Sequence, residues 1–222
     1  MITILAAACL ALCQDDKGKE LFQKLEKKMA DAKTLSVTFK GTVGGANKAD
    51  YTGRVRMKTG KKYTFNIKIV EEAGDTELTL ISDGTRRLTI QNGRRSEDEP
   101  KDGTDDLFRR ATARCGFVVL FLCMANVAQE VLPAADEILK SSEFALGGEE
   151  KLGEKTARVL TYTIAVKGMG DAKVKLWLDE KDLILLKREV KVTTPDSETV
   201  FNETYSDQST DDIEDKIFEV GK

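Results

Sequence analysis

The chain of 222 residues contains no histidine. That absence removes every nucleophile that depends on an imidazole base, the zinc sets that include imidazole, and the commonest general base near neutral pH. Also missing is any block of one charge. The 35 basic and 38 acidic side chains are dispersed, so the net charge of -3 offers no stripe to nucleic acid or an anionic membrane. With 41% hydrophobic and 33% charged residues, the composition is that of a soluble globular protein with one sizeable core or two small ones.

Catalysis without histidine would rest on carboxylates, Lys, Tyr or Cys. The nearest carboxylate groupings, Glu71-Glu72 and Asp179 to Asp182, fall in expected turns where charges are solvated, and no nucleophile has a visible partner. The acids of residues 92–104 (NGRRSEDEPKDGT), with Asp105 and Asp106, lack EF-hand spacing and are neutralised by arginines, so they read as a solvated loop and a helix N-terminus. The expectation is no catalytic residue, no metal and no cofactor.

Residues 1–13 (MITILAAACLALC) end abruptly in Gln14, Asp15, Asp16 and Lys17, the shape of a secretory signal peptide with Ala11 and Cys13 at the small-residue cleavage positions. The n-region lacks Lys or Arg. We expect a leader over 1–13, a single domain over 14–222, and export to the periplasm by a Sec signal. Lipid anchoring at Cys9 or Cys13 and a buried first element are the alternatives. Removing the leader leaves Cys115 and Cys123. Eight residues apart on one helix, they would be separated by about 12 Å of rise, too far for a disulfide, and they read as small core hydrophobes.

Outside the leader the greasiest stretch is 115–124 (CGFVVLFLCM). At ten residues it is too short to cross a bilayer, which takes roughly 20, and too apolar all round for a wet surface, so it needs burial. An amphipathic helix is expected over 18–33, with Leu21, Phe22, Leu25 and Met29 at helical spacing. Period-two alternation then marks strands over 34–43, 51–58, 63–69, 77–82 and 86–91, the last pair turned by Asp83-Gly84. Helix follows over 105 to about 125 and again over 133–141, starting at Pro133. Strands return at 144–146, 157–167, 173–179, 183–193 and 200–205. In 183–193 the alternation puts Ile184, Leu186, Val190 and Val192 on one side, and in 173–179 it sets Trp177 with the lysines, opposite Leu176 and Leu178. An apolar tail carries Ile213, Ile217, Phe218 and Val220.

Many strands with one apolar face and few helices to cover them imply an α+β fold: a strongly curved antiparallel sheet forming an unclosed β-barrel around the 115–124 segment. The order of LSVTFKG, YTGRVRMK, ISDGT followed by LTI, a helical middle, VKLWLDEKDLILLKREV and a terminal IFEV resembles the LolA-like family of periplasmic lipoprotein carriers and outer-membrane lipoprotein-sorting proteins. The resemblance runs from about residue 20 to the C-terminus. It implies a half-barrel with helices as a lid, holding acyl chains in a hydrophobic cavity. Where those carriers continue into a basic residue and proline, with an arginine tied to lipoprotein transfer, this chain has Thr59-Gly60.

The candidate cavity wall is Phe39, Val55, Met57, Phe65, Ile67, Leu80, Leu88, Phe117, Leu120, Leu176 and Leu178, each of which also reads as ordinary core. The partners implied are a lipid or acylated lipoprotein and an inner- or outer-membrane protein, with no nucleic acid, and a monomeric state is expected. The alternative is an envelope-stress sensor or protein-interaction scaffold whose interior is filled by its own side chains. Arg86 and Arg87 after the ISDGT turn read either as a headgroup grip or as a solvated hairpin edge. Residues 115–124 would plug the mouth of the half-barrel and compete with acyl chains for the same wall.

Overall fold

The computed structural model describes residues 2–45, 48–116, 134–167, 170–195 and 197–221, with side chains of the first helix from Asp16 onward. Short hairpins dominate, and their turns are built by the residues that favour them. In the turn after β4 (Gly74–Asp83) the Asp83 Oδ1 accepts the backbone N–H groups of Thr85 and Arg86 at 2.8 and 2.7 Å. After β9 (Gly170–Asp179) the Asp179 Oδ1 accepts those of Lys181 and Asp182 at 3.0 and 3.1 Å. In each case the aspartate replaces the backbone partners that the turn cannot supply.

Among the described residues, eleven antiparallel strands form one sheet in the order β6-β5-β4-β3-β2-β1-β11-β10-β9-β8-β7, not closed into a barrel. One meander runs outward from the middle: β1 (Thr34–Gly44), β2 (Ala49–Lys58), β3 (Lys62–Glu71), β4, β5 (Arg87–Gln91) and β6 (Arg94–Asp98). A second runs inward from the far edge: β7 (Leu139–Leu152), β8 (Lys155–Val166), β9, β10 (Ile184–Thr193) and β11 (Glu198–Ser209). They join where β1 pairs with β11, placing the two edges, β6 and β7, furthest apart. The connection between those edges carries α2 (Thr104–Arg114) and α3 (Ala135–Ile138).

One face of the sheet, the inner one, packs against α1 (Ile2–Asp31) and α2. Leu21, Phe22, Leu25 and Met29 of α1 and Leu107, Phe108 and Ala111 of α2 meet Leu35, Val37, Phe39, Tyr51, Val55, Met57, Phe65, Leu160, Ile164 and Leu176 in one continuous core. Such burial is the principal drive for the fold, on the order of 2 kcal/mol for each fully buried large side chain. The outer face is mostly wet among the described residues, with buried patches. Ala157, Val159, Trp177 and Leu186 make a small second cluster, and Ile213, Phe218 and Val220 of the tail, around a 3-10 helix (Asp215–Phe218), lie buried near β3 and β4.

Several expectations are corrected. α1 is continuous from Ile2 rather than starting at residue 18, and helix does not run from 105 to about 125, because α2 ends at Arg114. Gly116 follows with φ +78°, which no helix can continue through, so the helical spacing assumed for Cys115 and Cys123 does not apply. Residues 117–133, which include Phe117, Leu120, Cys123 and Pro133, lie outside the described residues. Helix over 133–141 shrinks to α3, and the short strand at 144–146 is part of the 14-residue β7. That strand is interrupted by two register shifts, which erased the alternation by which it would be recognised. The loop expected over 92–104 contains β6, whose wholly exposed RRSED sequence has no apolar face to betray it.

Candidate functional site

The inner wall comes from the even spacing of apolar residues on β1 to β4 and β8 to β10. Cross-strand partners share a face, so Val55 opposite Phe65 and Phe65 opposite Leu80 continue one apolar row, and Gly53 opposite Ile67 opposite Leu78 the next. Phe39, Val55, Met57, Phe65, Ile67, Leu176 and Leu178 are all buried in this core, and Leu80 packs against it. Leu88 is different. It stands opposite Ile81, which stands opposite Thr64, so it belongs to the outer face, where it is buried outside the main core. The parity of β5 could not be read across the hairpin from sequence because the turn alone sets it.

Between Val55, Met57, Tyr63 and Phe65 of the sheet and Phe108 and Thr112 of α2 lies a cavity of about 10 Å³. That is room for about one water-sized sphere, so here the wall meets side chains of the chain itself. Burial raises the Tyr63 hydroxyl to about 12, against the opposing pull of Arg87.

Set into this apolar wall is a polar cluster that sequence reasoning missed. A β-bulge in β10 shifts the register between Leu185 and Lys187. Ile184 and Leu186 therefore turn to the outer face beside Trp177, while Leu185, Arg188 and Val190 turn inward. The expected alignment of Ile184 and Leu186 with Val190 and Val192 is overturned by that single extra residue. Trp177 does lie opposite Leu176 and Leu178, yet it is only 4% exposed, with Lys175 and Lys187 each 4.5 Å from its ring centre.

Arg188 is wholly buried. Its guanidinium donates to the carbonyls of Thr112 and Ala113 at 2.9 and 2.7 Å and to the Tyr205 hydroxyl at 3.0 Å. Glu203, opposite it on β11, lies 4.0 Å away and accepts from the Tyr51 hydroxyl at 3.1 Å and from the Tyr205 hydroxyl. Tyr51 reaches across β1 because Gly41 lies between: a Cβ there would stand 2.5 Å from the Tyr51 ring. Burial acts to lower the Arg188 pKa, but Tyr205, Tyr162 and Glu203 outweigh it and the result is raised, so the side chain stays charged. Burial first, then Glu203, pushes the Tyr51 hydroxyl far above its ordinary range and keeps it a donor.

The cluster terminates α2. Arg188 takes the Thr112 and Ala113 carbonyls, the Tyr162 hydroxyl donates to the Arg114 carbonyl at 2.6 Å, and the Ala111 carbonyl accepts the N–H groups of Cys115 and Gly116. Carbonyls left over at a helix end are thus all partnered, by a cation where the helix dipole is negative. Two more buried arginines fix the helices: Arg109 donates to the Ala32 carbonyl past the end of α1 at 2.5 Å, and Arg114 bridges Glu26, Asp136 and the Leu139 carbonyl. Among the described residues, the apolar stretch that starts at Cys115 is therefore anchored at its first two positions. Cys115 is buried, as expected of a small core hydrophobe.

Arg86 and Arg87 have partners within the chain. Arg86 donates to the Val220 carbonyl at 3.0 Å, and Arg87 is paired with Asp98. Asp105, at the start of α2 as expected, accepts the Lys61 backbone N–H at 2.8 Å.

The architecture defined here is an open antiparallel half-barrel with helices over its apolar face. No family model and no curated protein matches the chain. Solved structures similar to it include LprF from Mycobacterium bovis, at 10% identity, TM-score 0.49, covering 87% of this chain and 93% of that one. A LolA superfamily protein from Nitrosomonas europaea matches at 13% identity and TM-score 0.33, covering 91% and 97%. An outer membrane lipoprotein-sorting protein domain from Vibrio parahaemolyticus matches at 13% and 0.32, covering 88% and 92%. These likenesses are too distant to carry function.

Proposed function

We propose that this protein is a non-enzymatic, exported carrier or binding protein for lipids or the acyl chains of lipoproteins. The observation that supports it is the inner face of the open sheet. It presents an apolar wall from β1 to β4 and β8 to β10, while the end of α2, from which the ten-residue apolar segment 115–124 continues, is tied to that wall by Arg188 through the Thr112 and Ala113 carbonyls. Apolar side chains on that segment and acyl chains would compete for the same surface, since burying either is worth about the same free energy per unit of apolar area. The wall would be Phe39, Val55, Met57, Phe65, Ile67, Leu80, Leu176 and Leu178, with Phe117 and Leu120 as the side chains displaced.

Native mass spectrometry of the protein purified from its own membrane-containing extract, with uptake of a fluorescent fatty acid, tests this reading. A bound lipid mass is expected, and Phe117→Asp or Leu120→Asp should change uptake before it changes the sheet. Absence of both lipid and uptake would overturn it, and global unfolding by those substitutions would mark the segment as plain core.

A second reading, an interaction scaffold or envelope-stress sensor, is favoured by one observation: the wall beside α2 is already filled, with about 10 Å³ left over. A co-purifying protein with no lipid would select it.

A further inference from the structure

On the outer face of β2, on the side of the strand opposite the apolar wall, Arg54 and Arg56 stand two residues apart, which places both guanidiniums on one side with roots about 6.6 Å apart. Like charges so placed repel unless something neutralises them. Several nearby cations are neutralised: Lys58 by Asp212 and Asp215, Lys62 by Asp215, Lys68 by Asp75 and Glu77, Arg87 by Asp98. Among the described residues no carboxylate lies within 4 Å of Arg54 or Arg56. Their cross-strand neighbours are Thr38 and Asn66 for Arg54, and Ser36 and Thr64 for Arg56. Arg54 makes one long bond, to the Ser36 hydroxyl at 3.5 Å, and the Thr38 and Thr64 hydroxyls beside the pair are buried with no partner.

The pair lines an open groove of about 680 Å³ between β1, β2, the end of β11 and the chain that follows it. Four carboxylates, Asp207, Asp211, Asp212 and Glu214, also line it: Asp212 pairs with Lys58, Glu214 with Lys216, and Asp211 accepts from the Ser209 hydroxyl, whose oxygen in turn accepts the Asp211 backbone N–H. They leave the arginines unneutralised while making the groove hostile to an extended polyanion. Burial and the neighbouring Arg54 both lower the Arg56 pKa, the signature of a cation lacking a counter-charge.

We infer that this groove binds a single phosphate oxyanion, held by Arg54 and Arg56 with the Ser36 hydroxyl beside them, supplied either as a small phosphate ester or as a lipid headgroup. Two guanidiniums at this spacing suit one tetrahedral anion, because each can offer a fork of N–H donors to a different pair of oxygens.

The test is titration calorimetry with inorganic phosphate and with glycerol 3-phosphate at low ionic strength, together with flotation on phosphatidylcholine vesicles with and without phosphatidylglycerol. Arg54→Gln/Arg56→Gln should weaken binding by at least about tenfold, the loss of two charge-assisted contacts. Arg94→Gln/Arg95→Gln, on the exposed β6, should leave it within about twofold, because it removes the same charge without touching the groove. Saturable binding in solution assigns the site to a small phosphate ester, and binding to phosphatidylglycerol vesicles alone assigns it to a headgroup. No binding in either arm, retention by Arg54→Gln/Arg56→Gln, or equal loss in both variants would overturn the inference. Because no apolar wall residue is altered, fatty-acid uptake should be unchanged in the groove variant, which separates this site from the proposed cavity.

Discussion

At the scale of single residues, the charge at Arg188 governs the interior. Its side chain is fully buried, and it is partnered by two carbonyls and a tyrosine, with Glu203 at 4.0 Å. Removing one member of such a pair strands the other without water, whereas removing both does not. Arg188→Met should therefore cost about 3–5 kcal/mol, and Arg188→Met/Glu203→Leu less than that single change, in urea unfolding followed by circular dichroism. A double variant as unstable as the sum of its parts would show that the carbonyl contacts of Arg188, not its charge, carry the stability. Gly116 is the second such residue. Its φ of +78° disfavours any side chain, and a Cβ would meet Glu203 Oε2 at 2.3 Å and Arg188 Nη1 at 2.8 Å. Strain and displacement together should cost Gly116→Ala about 2–3 kcal/mol, a melting point roughly 5–10 °C lower by calorimetry.

Elements depend on a few polar atoms at their ends. The β4–β5 hairpin is held by Asp83, whose carboxyl is lowered to about 2, first by the Arg86 backbone N–H and then by Thr85, burial opposing. A depressed carboxyl stabilises the fold above its unfolded pKa, near 4, and that contribution fades as pH falls through its folded value near 2. Asp83→Asn should thus melt about 2–4 °C below the parent at pH 7, roughly 1 kcal/mol, with the gap narrowing between pH 4 and 2. A gap unchanged across that range would mean that the charge is immaterial to the turn. How elements were legible follows the same logic. Strands β1 to β4 alternate because one face is mostly wet and the other dry, and β8 and β9 do so over most of their length. β6 has no dry face, β7 is twice bulged, and β10 carries one extra residue, so period two either vanishes or changes sign. α2 ended early because its stop signal, a positive φ at Gly116, was masked by the apolar run that continues past it.

Across the whole molecule, the sheet has two chemically different sides. The inner side is apolar and packed against α1 and α2; the outer side carries the sole tryptophan and the arginine groove. Trp177 therefore reports on the sheet without touching the proposed ligand wall. Fatty-acid binding at the inner face should leave its emission maximum in place, while urea unfolding should shift it to the red as water reaches the ring. A red shift on ligand uptake with the secondary structure intact would mean that binding opens the sheet itself.

By itself, the sequence determined the class of fold, the one-sided strands, the hairpin turns at Asp83 and Asp179, and most of the apolar wall, since each of these is encoded in residues that are neighbours or at a fixed short period. It also excluded imidazole chemistry outright. Only the tertiary structure decided that Arg188 faces inward, that Leu88 faces outward, that Tyr51 lies over Gly41 to reach Glu203, and that Arg54 and Arg56 share a groove with residues more than 150 positions away. Each of those depends on strand register or on a bulge, and register is fixed by the pairing of distant strands rather than by local pattern.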